Sequence, residues 1–431
     1  MNFKSLVSGL LLLALVGCSG VFPPGGTQDA RQTPNASPTI VPAPAFTQLP
    51  QGTATPAGPV TLHVWVPPQF DPASGTPAGN LLKARLEEFA ARRPGVQVDV
   101  RVKAASGVGG LLDSLTTTSA VAPRALPDLI ALPRPMLETA ALKGLLHPFD
   151  GLTAAMEDLD WYEYARQLAH LQSSTFGLPF AGDALTLFYH PSAAGAPPAD
   201  WNAAIKSAVP MVFAAADPLA LLTLALYQAA GGPILDDQGR PTLDARILAD
   251  VLTFYQDAAR SGVLPEWVAQ VQNEDQVWES FKEKRAGLAA TWASSYLTEP
   301  ITDTALAPLP TQNGTPFTLA TGWVWALAAS QPERQGLSAQ LAEFLTDSAF
   351  LSKWTEAAEV LPTRPSSMQT SSGSTLKLQQ SQMLLSARPF PLADVQASLG
   401  PVLQEATLKV LKGQSDPLAA AQAAVKSLAG P

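Results

Sequence analysis

The chain has 431 residues, of which 46% are hydrophobic, and its formal net charge is −9. This acidity argues against nucleic acid or anionic lipid headgroups as partners, because both would repel the protein. The hydrophobic content suffices for globular cores, and the length beyond residue 59 exceeds what one core usually serves, so we predict two lobes.

The first residues have the features of a secretory signal. Lys4 supplies a positive charge, an apolar run covers residues 6–16, and Leu15-Val16-Gly17-Cys18 follows. The run is too short to span a membrane as a mature helix, and its pattern is typical of a signal peptide over 1–17. The last four residues resemble the lipobox of bacterial lipoproteins, which implies cleavage after Gly17 and lipidation of Cys18. The alternative is a secreted protein whose only cysteine is a stray one.

A Pro- and Thr-rich segment, residues 18–59, separates this signal from the rest of the chain. It has almost no charged residues and too few apolar ones to offset the entropy lost on ordering. Its many prolines favour extended, semi-stiff conformations. We therefore predict a disordered linker between the membrane and a folded domain; the alternative is an arm packed on that domain.

Strand and helix patterns alternate from residue 60 onward. Residues 60–66 and 96–102 alternate between apolar and polar side chains, as in strands, and residues 81–93 between them have helical periodicity. A strand, a helix and a strand at this spacing predict a parallel βαβ unit and an α/β sheet.

The alternation continues to the end of the chain. The most apolar stretch, 211–230, reads as a buried helix broken at Asp217-Pro218, and the Ser-, Thr- and Gln-rich residues 366–381 predict a surface loop. The remaining patterns predict strands over 129–132, 184–189, 288–292 and 323–328, and helices over 136–146, 244–261, from about 335, over 392–411 and over 417–428.

Motifs for metal and catalytic sites are missing from the sequence. The four histidines do not have the spacing of a metal site. No G-x-S-x-G elbow, phosphate-binding loop or H-E-x-x-H pair occurs. We therefore predict a protein that is not an enzyme and has no cofactor.

Eight short motifs follow one another in an order that resembles a known family. The chain resembles the family-1 extracellular solute-binding proteins of ABC importers, which are related to maltose-binding proteins. It departs from their pattern at Asp200-Trp201-Asn202-Ala203-Ala204, where an acidic pair is usual. The motifs are Val60-Thr-Leu-His-Val-Trp-Val, Leu86-Glu-Glu-Phe with Arg93-Pro-Gly-Val-Gln-Val-Asp-Val, Leu126-Pro-Asp-Leu-Ile-Ala, Gly144-Leu-Leu-His-Pro-Phe-Asp, Phe176-Gly-Leu-Pro-Phe-Ala-Gly-Asp, Phe281-Lys-Glu-Lys-Arg-Ala-Gly-Leu-Ala-Ala-Thr-Trp, Gly322-Trp and Val360-Leu-Pro-Thr-Arg.

The resemblance implies a fold and partners. The fold is the two-lobed α/β type II periplasmic-binding-protein, or Venus-flytrap, fold, in which interleaved segments cross between the lobes and the ligand lies in the cleft. Lobe 1 is expected over 60–182 and 289–330, and lobe 2 over 183–288 and 331–431. The implied partners are a small-molecule ligand and an ABC permease, and the implied protein is a monomer on the extracytoplasmic face of the cell membrane.

A carbohydrate is the expected ligand. Aromatic rings cover the C–H face of a sugar, and carboxylate, amide and guanidinium groups bond its hydroxyls. Clefts in open α/β sheets form at the carboxyl ends of strands, where several candidates fall. The candidate ligand-binding residues are Trp292, Trp323, Asp183, Trp65, Tyr296, Arg364, Tyr189 and Gln69. Each tryptophan could instead belong to the core, Asp183 could cap a turn or helix, and Arg364 could pair with an acidic neighbour.

Other functions remain open from the sequence. The same fold could bind a polyol, a glycerol phosphodiester or a peptide, or could present its ligand to a sensor. A lipid-anchored glycosidase would need a carboxylate pair, and the sequence singles out none.

Overall fold

The computed structural model describes residues 59–329, 331–368 and 375–428. The predicted signal peptide, the linker up to residue 58 and Cys18 lie outside the described residues. The strands are β1 Val60–Val66, β2 Val96–Val102, β3 Leu129–Pro133, β4 His170–Leu171, β5 Ser174–Thr175, β6 Leu178–Tyr189, β7 Met211–Val212, β8 Leu288–Trp292, β9 Ala305–Ala307, β10 Thr318–Leu327 and β11 Ala387–Pro389. The helices are α1 Pro77–Ala91, α2 Leu111–Val121, α3 Arg134–Leu142, α4 Glu163–Ala169, α5 Pro191–Ala194, α6 Trp201–Ser207, α7 Leu221–Ala229, α8 Ala245–Arg260, α9 Glu274–Lys282, α10 Ala293–Thr298, α11 Pro332–Leu345, α12 Ser348–Ala357, α13 Thr375–Leu385, α14 Ala393–Leu411 and α15 Pro417–Leu428.

One mixed sheet of nine strands runs through the domain in the order β2-β1-β3-β10-β6-β8-β7, with β11 beside β10 and β9 beside β6. β1 pairs in parallel with β2 and β3, as the predicted βαβ unit requires. β6 is antiparallel to β10 along its first half and to β8 along its second half.

Two hydrophobic cores divide the domain into two lobes, which confirms the predicted two-lobed α/β fold. The first core is built on β1, β3 and the first half of β6, and the second on β7, β8 and the second half of β6. Among the described residues, three long segments cross from one core to the other: β6 between Ala184 and Leu185, β10 between Leu319 and Ala320, and the chain between Ala387 and Val395. Ala293 of α10 also packs in the first core, between β8 and β9 of the second.

The lobe boundaries differ from the predicted ones in two segments. Residues 289–319 were expected in lobe 1; Ala293 of α10 does pack in the first core, but β8 pairs with β6 and β7, and the alanines of β8 pack in the second core. Residues 339–387 were expected in lobe 2, but α11 and α12 pack against α1, and their buried residues belong to the first core. Only the final part of the chain, α14 and α15, returns to the second core.

Two local predictions were wrong. The predicted loop 366–381 overlaps the helix α13, which covers Thr375–Leu385. Met383 and Leu384, near the end of this helix, are buried in the first core. Within the predicted helix 211–230, the first two residues form β7, and the helix starts only at Leu221. Asp217-Pro218 therefore lies in the loop that leads from the carboxyl end of β7 to α7.

Candidate functional site

The crossing segments β6 and β10, with β8 beside β6, bring Asp183, Trp323 and Trp292 to one region of the sheet. On β10, Trp323 pairs with Ala181 and Thr321 with Asp183; on β8, Trp292 pairs with Leu185. Alternate residues of a strand face the same side, and directly paired residues share a face. The side chains of Trp323, Asp183 and Trp292 therefore project from one face of the sheet.

The two tryptophans lie on opposite sides of Asp183. Their partners Ala181 and Leu185 are four residues apart on β6, about 13 Å along the strand. One ring belongs to each lobe, and the carboxylate lies at the crossing between them. This arrangement suits a flat ligand that extends across the division between the lobes.

Asp183 accepts hydrogen bonds from the start of α10 and from the next residue of β6. Ser294 at the start of α10 donates its backbone N–H at 3.1 Å and its hydroxyl at 2.5 Å, and Ala184 donates its N–H at 2.8 Å. Burial raises the pKa of Asp183 to about 6, against the lowering by hydrogen bonds from Ser294, Ala184 and Ala293. The role of Asp183 as a cap for α10 was the alternative left open by the sequence, and it leaves little of the carboxylate free.

Trp323 forms the partly buried rim of an aromatic cluster in the first lobe. Its ring meets the edge of Phe70 at a centroid distance of 5.3 Å. The pairing shifts here, because Val324 is opposite Pro179, so Phe180 is an extra residue on β6 and stacks on Trp325 at 4.4 Å. Bulges commonly redirect side chains beside functional sites.

Trp292 is partly buried on the second lobe. Its ring lies 5.5 Å from the ring of Phe390, in the third crossing segment, at an interplanar angle of 45°. Trp292 is thus held by β8 of the second lobe and Phe390 by the third crossing segment, and the contact of the two rings joins these segments.

Two further carboxyl groups lie near the crossing. Asp217 follows β7 and is 8% exposed, and Glu274 opens α9 with a buried Oε2 that has no hydrogen-bond partner within the described residues. Burial raises the pKa of Asp217 above its usual range. Burial raises the pKa of Glu274 to about 8; Thr291 opposes this shift, and the charges of Asp217, Asp275 and Asp183 add to it.

These raised values predict a pH dependence of stability. The pKa of Glu274 in the folded chain lies above the ordinary value of 4.5, so the folded state binds this proton more tightly than the unfolded state. Its contribution to stability should be complete below pH 4.5 and should disappear as the pH rises through about 8. Glu274→Gln should flatten that part of a urea-unfolding profile measured from pH 4.5 to 9, and an unchanged slope would contradict the assignment.

Gln69 is the neighbour in sequence of a residue that contacts Trp323. It is exposed in a single turn, Pro68–Phe70, directly after β1, next to the Phe70 ring that contacts Trp323. The structure therefore brings Gln69 toward the rim formed by Trp323.

Three aromatic candidates pack into the cores. Trp65 is 3% exposed in the first core, with the Lys103 ammonium 5.0 Å from its ring centroid. Tyr189 is 8% exposed and pairs with Leu288, at the far end of β6 from the crossing. Tyr296 packs on Phe188 at 5.8 Å. The rings of Trp65 and Tyr189 thus fill hydrophobic space in the cores, whereas Tyr296, like Trp292, is only partly buried.

Arg364 is bound within the first lobe. It is 7% exposed, and its Nη1 lies 2.8 Å from an Oδ2 of Asp158 and 3.7 Å from one of Asp160. Its guanidinium covers the Trp161 ring at 3.8 Å. Arg364 therefore pairs with acidic neighbours, which was the alternative predicted for it.

Several residues at the crossing could not be predicted from the sequence. Phe70 and Phe390 lie beside prolines in short connecting segments, where no periodicity marks them. In the sequence, Glu274 has only the pattern of a helix start and Asp217-Pro218 only that of a helix break, and neither pattern indicates a binding site. Their proximity depends on the pairing of β6 with β8, which no local pattern reveals.

Two further findings concern the described residues as a whole. They contain no group of three or more His, Cys, Asp or Glu side chains placed to hold a metal ion. Among the same residues, no helix has both the length and the apolar character needed to cross a membrane.

Comparison with known proteins then places the chain. The model of a family described as bacterial extracellular solute-binding protein matches residues 84–377. The chain belongs to this family of solute-binding proteins. The family resemblance predicted from the eight motifs is thereby confirmed, and the family's extracellular character agrees with the predicted extracytoplasmic location. None of the curated proteins matches the chain in sequence.

Solved structures share the fold of this solute-binding protein. A cyclic α-maltosyl-1,6-maltose-binding protein from Arthrobacter globiformis has a TM-score of 0.70 at 17% identity, over 86% of this chain and 99% of that one. The sugar-binding protein MalE from Xanthomonas citri has a TM-score of 0.70 at 18% identity, over 86% and 96% of the two chains. The GacH receptor of Streptomyces glaucescens, solved without ligand and with acarbose, has a TM-score of 0.63 at 17% identity, over 85% and 97%.

Proposed function

We propose that this solute-binding protein is the lipid-anchored receptor of an ABC importer, and that it binds a carbohydrate between its lobes and delivers it to the permease. The observation that supports the carbohydrate most is the placement of Trp292 and Trp323 on one face of the sheet, on either side of Asp183. Aromatic rings with hydroxyl-bonding carboxylates are the groups that sugar recognition requires.

The ligands of structurally similar proteins agree with this proposal. Three of these proteins were solved with bound maltotetraose, maltotriose and α-D-tagatose. These proteins share the fold at 20% identity or less, so they support a sugar as the class of ligand and leave its identity open. Thermal melting with single saccharides tests the class, because a ligand that binds only the native state raises the melting temperature.

The charges near the crossing favour a neutral ligand over an anionic one. Near neutral pH, ionised Asp183 would repel a phosphodiester or a carboxylate, whereas Glu274, with a pKa raised to about 8, is largely uncharged. The nearby Arg134 is already bound to Glu138. A polyol remains compatible with these groups, and so does presentation of the ligand to a sensor instead of a permease.

The lipid anchor rests on the lipobox-like residues 15–18 and on the linker that follows. Cys18→Ser should move the protein from the membrane fraction to the soluble fraction of expressing cells, because the acyl-bearing thiol is lost. Cell fractionation followed by immunoblotting measures this. A variant that stays in the membrane fraction until detergent is added would rule the anchor out.

A further inference from the structure

The third crossing segment is held by two hydrogen bonds, of which the second joins the lobes. At its start, the backbone N–H of Phe390 donates to the carbonyl oxygen of Ala320 on β10 at 3.0 Å. The helix α14 begins at Ala393, and the Ala393 N–H donates to Oε2 of Glu138 at 2.9 Å. Since Glu138 lies on α3, between residues of the first core, and α14 packs in the second core, this bond joins the lobes.

Glu138 is itself held in place. Its Oε1 accepts from Nε of Arg134 at 2.7 Å, and both side chains are buried, with exposures of 5% and 8%. Nη1 of Arg134 donates to the carbonyls at the end of α4, those of Gln167, Leu168 and His170, at 2.6 to 2.9 Å. The carboxylate that receives α14 is therefore a fixed point of the first lobe.

From this fixed point, α14 reaches the loop after β7. Nε2 of Gln396 donates to the carbonyl of Leu219 at 2.5 Å, and Nε2 of Gln404 donates to the carbonyl of Ala216. Between these glutamines, Gly400 packs so closely that a Cβ would lie 2.2 Å from the Pro218 carbonyl oxygen. Residues 216–219, which include Asp217, are thus attached to α14 at three points.

We propose that Glu138 is a positioning residue: by holding the first N–H of α14, it fixes residues 216–219 of the second lobe from a place outside the candidate ligand site. The chain of contacts runs from Arg134 through Glu138 and α14 to the loop that carries Asp217. The inference does not depend on which solute the protein binds.

A proline at position 393 tests this bond without disturbing the helix. Proline is tolerated at the first helical position, and Leu392 already has the extended conformation, φ −54° and ψ 150°, that a following proline requires. Ala393→Pro removes the N–H that Glu138 accepts and places the ring Cδ in its position, so the carboxylate of Glu138 must also withdraw from the start of α14. The matched control is Ala245→Pro, at the first position of α8, where Asp244 caps the N–H groups of Arg246 and Ile247 within the second lobe.

Hydrogen–deuterium exchange on the ligand-free protein is the readout. In Ala393→Pro, the amides of Ala216, Asp217, Leu219 and Ala220 should exchange roughly 2- to 30-fold faster, relative to the amides of residues 253–260 in the second half of α8, than in the unchanged protein. Ala245→Pro should leave that ratio as it is. An overall loss of stability would accelerate both sets and leave the ratio unchanged, so it cannot imitate the result.

An unchanged ratio in Ala393→Pro would overturn the proposal. If that variant does not fold, Glu138→Gln serves instead. The amide oxygen of Gln can still accept the hydrogen bond from Arg134, while the amide nitrogen then faces the Ala393 N–H and cannot accept a hydrogen bond from it. The same acceleration in Glu138→Gln supports the proposal, and its absence overturns it. Since no ligand is added, failure of the carbohydrate assignment would not affect this test.

Discussion

Replacing Trp292 or Trp323 by alanine should weaken sugar binding about thirtyfold, a loss of about 2 kcal/mol. Each ring is partly buried at the crossing and faces the same side of the sheet as Asp183. Truncation removes a large apolar contact and the attraction between the ring and the sugar C–H groups. Calorimetric titration with a saccharide that the unchanged protein binds measures the loss.

Trp201→Ala is the matched control for these variants. Its ring is 8% exposed and stacks on Phe254 at 5.1 Å in the second core. Loss of a buried tryptophan costs about 3–5 kcal/mol of stability, while affinity should remain nearly unchanged. If the Trp292 and Trp323 variants bind normally and unfold early, their rings belong to the core and the proposed site is elsewhere.

Glu138→Ala should lower the free energy of unfolding by about 3–5 kcal/mol, because it leaves the buried guanidinium of Arg134 without its carboxylate. The Nε–Oε1 distance of 2.7 Å and the small exposure of both side chains make this the most buried ion pair among the described residues. Urea unfolding monitored by circular dichroism measures the change.

Two variants make that result specific. Arg134→Met with Glu138→Leu removes both charges and should recover much of the loss, because the burial cost of the ions disappears with them. Asp257→Ala breaks the exposed pair of Asp257 with Arg260 and should change stability by no more than about 1 kcal/mol. A Glu138→Ala variant as stable as the double variant would show that the pair is well solvated.

Local patterns predicted the elements that local interactions determine. β1, β2 and β8 have the predicted bounds, because their alternating or apolar residues bury one or both faces of the sheet. The α8 helix begins after Asp244, which caps two N–H groups as predicted. The motif series also predicted the family, since each motif marks an end of a strand or helix that the fold needs.

Long-range packing determined what could not be predicted. The burial of Trp65 depends on the strands beside it, and the pairing of Arg364 depends on Asp158, which is 206 residues away in the chain. The assignment of residues 339–387 to the first lobe depends on contacts of α11 and α12 with α1. The electrostatic neighbours of Glu274 come from three separate segments. None of these relations leaves a periodic signal in the sequence.

Thermal melting of the protein with single ligands tests the central claim, that the crossing between the lobes binds a carbohydrate. The panel contains neutral mono- and oligosaccharides, a polyol, a glycerol phosphodiester and a peptide mixture. We expect at least one neutral saccharide to raise the melting temperature in proportion to the logarithm of its concentration, and the shift to disappear when Trp292 and Trp323 are both replaced by alanine. A panel in which no saccharide raises the melting temperature, while the phosphodiester or a peptide does, would contradict the claim.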